Sequence, residues 1–149
     1  MSLNFDKLLQ KGKIAADNVI QNEAEIDDIL KELQLSLSNF LNLEIKFLEL
    51  IEYKTEPQPL GKISFYQPRV KTGFKEVHIS SDNIDFSSEI FKIKRSDEVY
   101  PVTIVRGLNH SVADNKDELS LAIGEIVSNA QFHLQLKSFL NKVNNSNKS

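Results

Sequence analysis

Residues Asn115 to Val143 read NKDELSLAIGEIVSNAQFHLQLKSFLNKV, and the spacing of their apolar side chains decides the fold. Leu119, Ala122, Ile123, Ile126 and Val127 recur three and four residues apart, which places them on one face of an α-helix. After Ser128, Asn129 and Ala130 a second stripe follows, carried by Phe132, Leu136, Phe139, Leu140 and Val143. Asn115 is suited to cap the first helix. Glu118, three residues on, is placed to reach back to the amide of the cap, and Asp117 sets a negative charge in the positive first turn. Burying four large apolar side chains of that helix yields about 6–12 kcal/mol at roughly 1.5–3 kcal/mol each. Ordering a dozen residues costs about 1.5 kcal/mol apiece, which is more. The pair therefore needs a sheet to cover, and the spacing predicts one cooperative α+β domain over residues 1–149.

Upstream, residues 43–113 read as an antiparallel sheet of about five or six strands. Leu43, Ile45 and Phe47 alternate with Glu44 and Lys46 as in a half-buried strand, but Leu48 breaks the phase before Leu50. A bulge at Phe47 and Leu48 would restore it, and the competing reading extends the preceding helix to Tyr53. Thr55, Pro57, Pro59 and Gly61 supply a turn into a second run, Lys62 to Tyr66, and Pro68 to Gly73 reads as a loop. Val77 and Ile79, Glu89 to Lys94, Tyr100 to Val105 and His110 to Ala113 complete the strands, with Gly107 permitting a tight reversal. Short loops leave no room for parallel crossovers. Such a sheet buries one face and leaves the other wet or open to a partner.

Residues 1–41 form the N-terminal helical segment. A seven-residue rhythm runs through Phe5, Leu9, Gly12, Ala16, Val19, Glu23, Ile26, Leu30, Leu33, Leu37 and Phe40. Gly12, Ala16 and Glu23 make its first half weak, so the opening segment is expected to be a short helix of its own. From Ile26 to Leu41 the stripe is strong and its outer face acidic. It fits an amphipathic helix packed on the sheet. It also fits a seam that binds another protein or a second copy through Ile26, Leu30, Leu33 and Leu37. Residues 115–143 hold the C-terminal helices, and residues 144–149 are expected to be a disordered tail.

The chain has 149 residues, 18 Lys and Arg against 21 Asp and Glu, and a formal net charge of -3, which disfavours a polyanion binder built on overall charge. With no cysteine, disulfides, thiolate zinc sites and cysteine nucleophiles are excluded together. No apolar run approaches the roughly 18 residues of a spanning helix, nor does the start of the chain read as a signal peptide, so a cytoplasmic protein without membrane contact is expected.

Chemical motifs are sparse. Lys71-Thr72-Gly73 and Ser81-Asp82-Asn83 spell two of the three short motifs of serine β-lactamases, but no Ser is followed three residues later by Lys, so the nucleophile is missing. His110, Ser111 and Asp114 are triad residue types, yet neighbours on a strand point to opposite faces. His78, His110 and His133 lack the spacing of metal ligands. The five glycines never cluster, which removes phosphate-cradling loops and leaves no sign of a cofactor. Arg69, Lys71, Lys75, Lys92, Lys94 and Arg95, with Tyr66, Phe74, Phe91 and Tyr100 among them, resemble the cation and aromatic mixture that grips single-stranded nucleic acid. Interspersed acidic residues weaken that field. The sequence thus leads to an expectation of a non-catalytic interaction module, of adaptor, inhibitor or immunity type, with a nucleic-acid accessory protein as the alternative.

Overall fold

The computed structural model describes residues 4–55, 69–82 and 84–146. In chain order these form α1 (Phe5–Leu41), β1 (Ile45–Tyr53), β2 (Lys71–Ser81), β3 (Ser88–Ser96), β4 (Val99–Arg106), β5 (Asn109–Ala113), α2 (Lys116–Val127) and α3 (Ala130–Ser146). The strands make one antiparallel meander in the order β1-β2-β3-β4-β5. Side chains from all three helices and all five strands, among them Ile26, Ile45, Val77, Phe91, Val102, Ala113, Leu119 and Phe132, belong to one hydrophobic core. The fold is a single α+β domain. No helix among the described residues is long and apolar enough to cross a membrane.

Alternation across the register sets the two sheet faces. Val77 lies opposite Phe91, Ile93 opposite Ile104, and Val102 opposite Ala113. All six are buried beneath the helices. The intervening pairs Glu76 and Lys92, and Lys92 and Val105, lie on the open face. Gly107 adopts a φ of 60° at the β4–β5 reversal, the left-handed conformation its missing Cβ permits.

α2 begins as its sequence requires, since Asn115 Oδ1 accepts from the Glu118 amide at 2.9 Å. The reciprocal bond shifts by one residue: Glu118 Oε2 accepts from the amide of Asp114 at 2.6 Å rather than from that of the cap. Ser128 and Asn129 separate α2 from α3, where Asn129 Oδ1 accepts from the Gln131 amide at 2.8 Å.

Several elements differ from the sequence reading. The opening segment is not a separate helix, because α1 runs unbroken for 37 residues. Its one glycine, Gly12, lowers helix propensity by about 1 kcal/mol without breaking the hydrogen-bond ladder, and no proline intervenes. α1 ends at Asn42, whose φ of 51° is left-handed, and Ser38 Oγ accepts from the amide of Ile45 at 3.0 Å to lead the chain into β1. β1 is a strand, but its irregularity falls between Ile51 and Tyr53 instead of at Phe47 and Leu48. Leu48 and Leu50 point to the open face, 43% and 44% exposed, so the lost phase records apolar residues on both faces. The marked register shift sits between Val77 and His78 opposite β3, where Ile90 and Phe91 are both buried. Lys71 to Gly73 belong to β2 rather than to a loop, and α3 continues through residues 144–146. The expected strand Lys62 to Tyr66 and residues 147–149 of the expected tail lie outside the described residues.

Candidate interaction surface

Helix α1 is longer than the body it covers. Residues 4–18 are exposed without exception, and α1 first loses solvent contact at Val19. At 1.5 Å per residue the free segment is about 22 Å long. It is a continuation of a helix already nucleated on the core, so each further residue adds a hydrogen bond without a new nucleation penalty. Asn4 Oδ1 accepts from the Lys7 amide at 3.3 Å to cap its start.

Over the body, α1 turns Val19, Asn22, Glu23, Ile26, Ile29, Leu30, Leu33 and Leu37 inward. Two heptads earlier the same phase holds Phe5, Leu8 and Leu9, followed by Gly12, Ala15 and Ala16. A straight helix drifts about 20° per heptad, so over two heptads the patch turns by about 40° from the body's inward line and still overlaps the roughly 100° width of a buried helix face. Off the body nothing among the described residues covers it: Phe5 is 63%, Leu8 55% and Leu9 72% exposed. The spacing i, i+3, i+4 of these three side chains is that of an amphipathic helix presented to a groove. Ile20, also exposed, flanks the patch beside the line of Leu9, whereas exposed Ile14 stands on the opposite side of the helix. A single surface apolar residue is ordinary.

The stripe proposed from sequence as a partner face lies elsewhere. Ile26, Leu30 and Leu37 are buried in the core, and Leu33 is half-buried against it. The sheet occupies that face, because the acidic outer side of α1 must stay in water and only the apolar side can cover strands. Phe5 and Leu9 were visible in the same rhythm, but Gly12 and Ala16 disguised the first half as weak.

The cationic set is divided between the two sheet faces. Lys75 and Arg95 lie on the helix-covered face. Lys75 Nζ is 3.8 Å from Glu49, and the guanidinium of Arg95 meets Glu23 at 3.2 Å, Glu49 at 3.4 Å and Asp27 at 4.0 Å. Lys92 and Lys94 lie on the open face. Lys92 is bound to Glu52, whose carboxyl is held below its usual range by that hydrogen bond, while the ammonium is correspondingly raised. Lys94 Nζ sits 5.6 Å from the centre of the Phe74 ring. Arg69 stands over Tyr53 at 5.6 Å, and Lys71 is exposed at the start of β2. Of the aromatics, Phe91 is buried, Tyr100 donates to Glu25 at 2.9 Å beneath α1, and Tyr66 lies outside the described residues. Among the described residues the set does not converge on one surface.

Nor do the acid–base residue types. His78 bridges Glu76 Oε1 and Ser87 Oγ, each at 3.0 Å. His133 donates from Nε2 to the Val127 carbonyl at 2.7 Å. His110 pairs with Val105 on the open side, whereas Ser111 pairs with Ile104 on the covered side. Among the described residues no group of three or more His, Asp or Glu is arranged to hold a metal ion. A cleft of about 980 Å³ opens between the β4–β5 reversal and α2, with Arg106, His110 and Glu125 on its walls. Arg106 is committed to structure: it donates to the Ile90 carbonyl at 2.8 Å and to Gln135 Oε1 at 2.7 Å, above the Phe132 ring.

No protein-family model, curated protein or solved structure matches the chain.

Proposed function

We propose that this protein is a non-catalytic interaction module, and that its docking element is the free N-terminal part of α1. The observation that carries this reading is the uncovered patch of Phe5, Leu8 and Leu9 on a helix face that is core over the body. Exposing a large apolar side chain forfeits roughly 1.5–3 kcal/mol relative to burying it. Three such side chains at groove-binding spacing are therefore a reservoir of binding free energy that folding has left unused. The polar features support the same reading, since Lys75, Lys92 and Arg95 are held in ion pairs with acidic residues of β1 and α1, and Arg106 at the cleft is held by the Ile90 carbonyl and Gln135.

A photo-cross-linking residue placed at Leu9 in the native cell tests the proposal, with the same residue at exposed Lys31 as control. A discrete protein adduct is expected from position 9 and none from position 31. Equal labelling at both positions, or none at either, refutes the docking role.

A further inference from the structure

The free segment carries a pattern that is complementary to itself, and this identifies an occupant for it. We infer that residues 5–16 of α1 pair antiparallel with the same residues of a second copy, about a two-fold axis that passes between Gln10 and Lys11. The inference rests on the docking role of this segment and names its partner.

In the heptad that α1 follows over the body, Phe5 and Gly12 share one seam position and Leu9 and Ala16 the other. Two antiparallel copies aligned on that axis set Phe5 against Ala16 and Leu9 against Gly12, each contact occurring twice by symmetry. Large side chains then meet small ones, so the seam fills at close approach without voids or clashes. A parallel pair sets Gly12 against Gly12 and Ala16 against Ala16, leaving a gap that the flanking residues do not fill. Outside the seam the same alignment sets Leu8 near Ala15 on one flank. On the other it sets Asp6 opposite Lys13, an attraction that is also formed twice.

Sliding the copies one heptad further onto each other places Phe5 against Glu23. That carboxylate is already 3.2 Å from Arg95, and it would meet a phenyl ring in place of its partner. Sliding them apart by one heptad leaves Phe5 against Leu9 and little else. The favoured alignment uses residues 5–16, and residues 4–18 are the exposed ones, so it fits the free length. The two bodies, each starting at Val19, stand at opposite ends of the pair, about 25 Å apart along the helix axis.

Twelve residues of helix bury only a few hundred Å² per copy, below the roughly 800 Å² per partner of a standard stable interface. The pairing is accordingly reversible, with a dissociation constant on the order of 10–100 µM.

Analytical ultracentrifugation of the full chain from about 1 to 500 µM spans this range. A monomer–dimer equilibrium is expected. Leu9→Asp should weaken it at least about 30-fold, because the seam residue is lost twice, while leaving the melting curve at low concentration unchanged. Asp6→Lys alone, or Lys13→Asp alone, should weaken it, and the two together should restore it. The chain has no cysteine, so Phe5→Cys and Ala16→Cys can be mixed under oxidation: heterotypic cross-links are expected to exceed homotypic ones. A monomer throughout, a dimer indifferent to Leu9→Asp, absence of charge-swap rescue, or predominant homotypic cross-links each overturns the pairing. If the chain stays monomeric while position 9 still forms an adduct with a different protein, self-pairing fails and the docking role stands. With no adduct either, both fail.

Discussion

Leu9 and Leu30 lie three heptads apart on one helix, at the same seam position, and Leu→Ala at each is the same chemical change. The structure assigns them opposite consequences. Leu30 is 9% exposed within the core, so truncation loses its transfer free energy and leaves a cavity beneath α1, a cost of about 2–4 kcal/mol. Leu9 is 72% exposed. Its truncation removes almost no burial, and because Ala is the better helix former the change should fall within about 0.5 kcal/mol of zero. For a chain of this size a loss of 3 kcal/mol corresponds to a fall in Tm of about 6–12 °C.

Urea denaturation at about 1 µM, well below the concentrations at which a small helix pair would associate, separates the two. Leu30→Ala should lower the midpoint at constant m-value, and Leu9→Ala should leave both unchanged. Comparable destabilisation by both would refute the division of α1 into covered and free halves. Stability indifferent to Leu30→Ala would mean that the stripe through Ile26 and Leu37 faces outward, as its reading as a partner seam requires.

Two further predictions follow from single sites. The Tyr100 hydroxyl is pushed up to about 12, first by burial and then by its bond to Glu25, so its ionisation opposes folding. The stability that comes with the neutral phenol is complete below the ordinary tyrosine value of 10.0 and lost as pH rises from there to about 12. Ultraviolet titration of tyrosinate should show one late-ionising group that moves to lower pH in Glu25→Gln, and an unmoved curve would sink the assignment. Gly124 is helical with open space where a Cβ would stand, so Gly124→Ala should stabilise by about 0.5–1 kcal/mol, whereas Gly107→Ala at a φ of 60° should destabilise by about 1 kcal/mol. Thermal melts of the two variants should shift in opposite directions.

How much of this was legible depends on whether the information was local. The caps at Asn115, the stripe of Leu119 and Ile123, the alternation of Val77 and Ile79 and the reversal at Gly107 are all local, and each lies where its residues put it. Leu48 misled because alternation assumes one dry face and one wet one, while β1 carries leucines on its open side. Glu118 bonded one residue early because backbone placement, not residue type, decides which amide is in reach. The cationic set failed to assemble for a non-local reason. Strand parity sends Lys75 and Arg95 to one face and Lys92 and Lys94 to the other, and the acidic partners that occupy Lys75, Lys92 and Arg95 come from α1 and β1. Sequence proximity of charges carried no information about sidedness.

The division of α1 is the least local feature, and it explains why the first half reads as weak from sequence. A heptad with Gly and Ala at its seam looks defective when the imagined partner is a sheet, because a sheet needs bulk to fill the space beneath a helix. Against another helix the requirement inverts, since small residues let two backbones approach and accept large side chains from the opposite copy. Were the overhang only a solvated extension, its inward-phase positions would be as free to be polar as the positions around them. Lys7, Gln10, Lys11 and Asn18 show that polar residues are tolerated on the rest of the surface. Yet Phe5, Leu8 and Leu9 keep the phase that Ile26, Ile29 and Leu30 use for the core. Polar residues in their place would cost the isolated fold nothing, so what those three side chains contribute is to be sought in association rather than in folding.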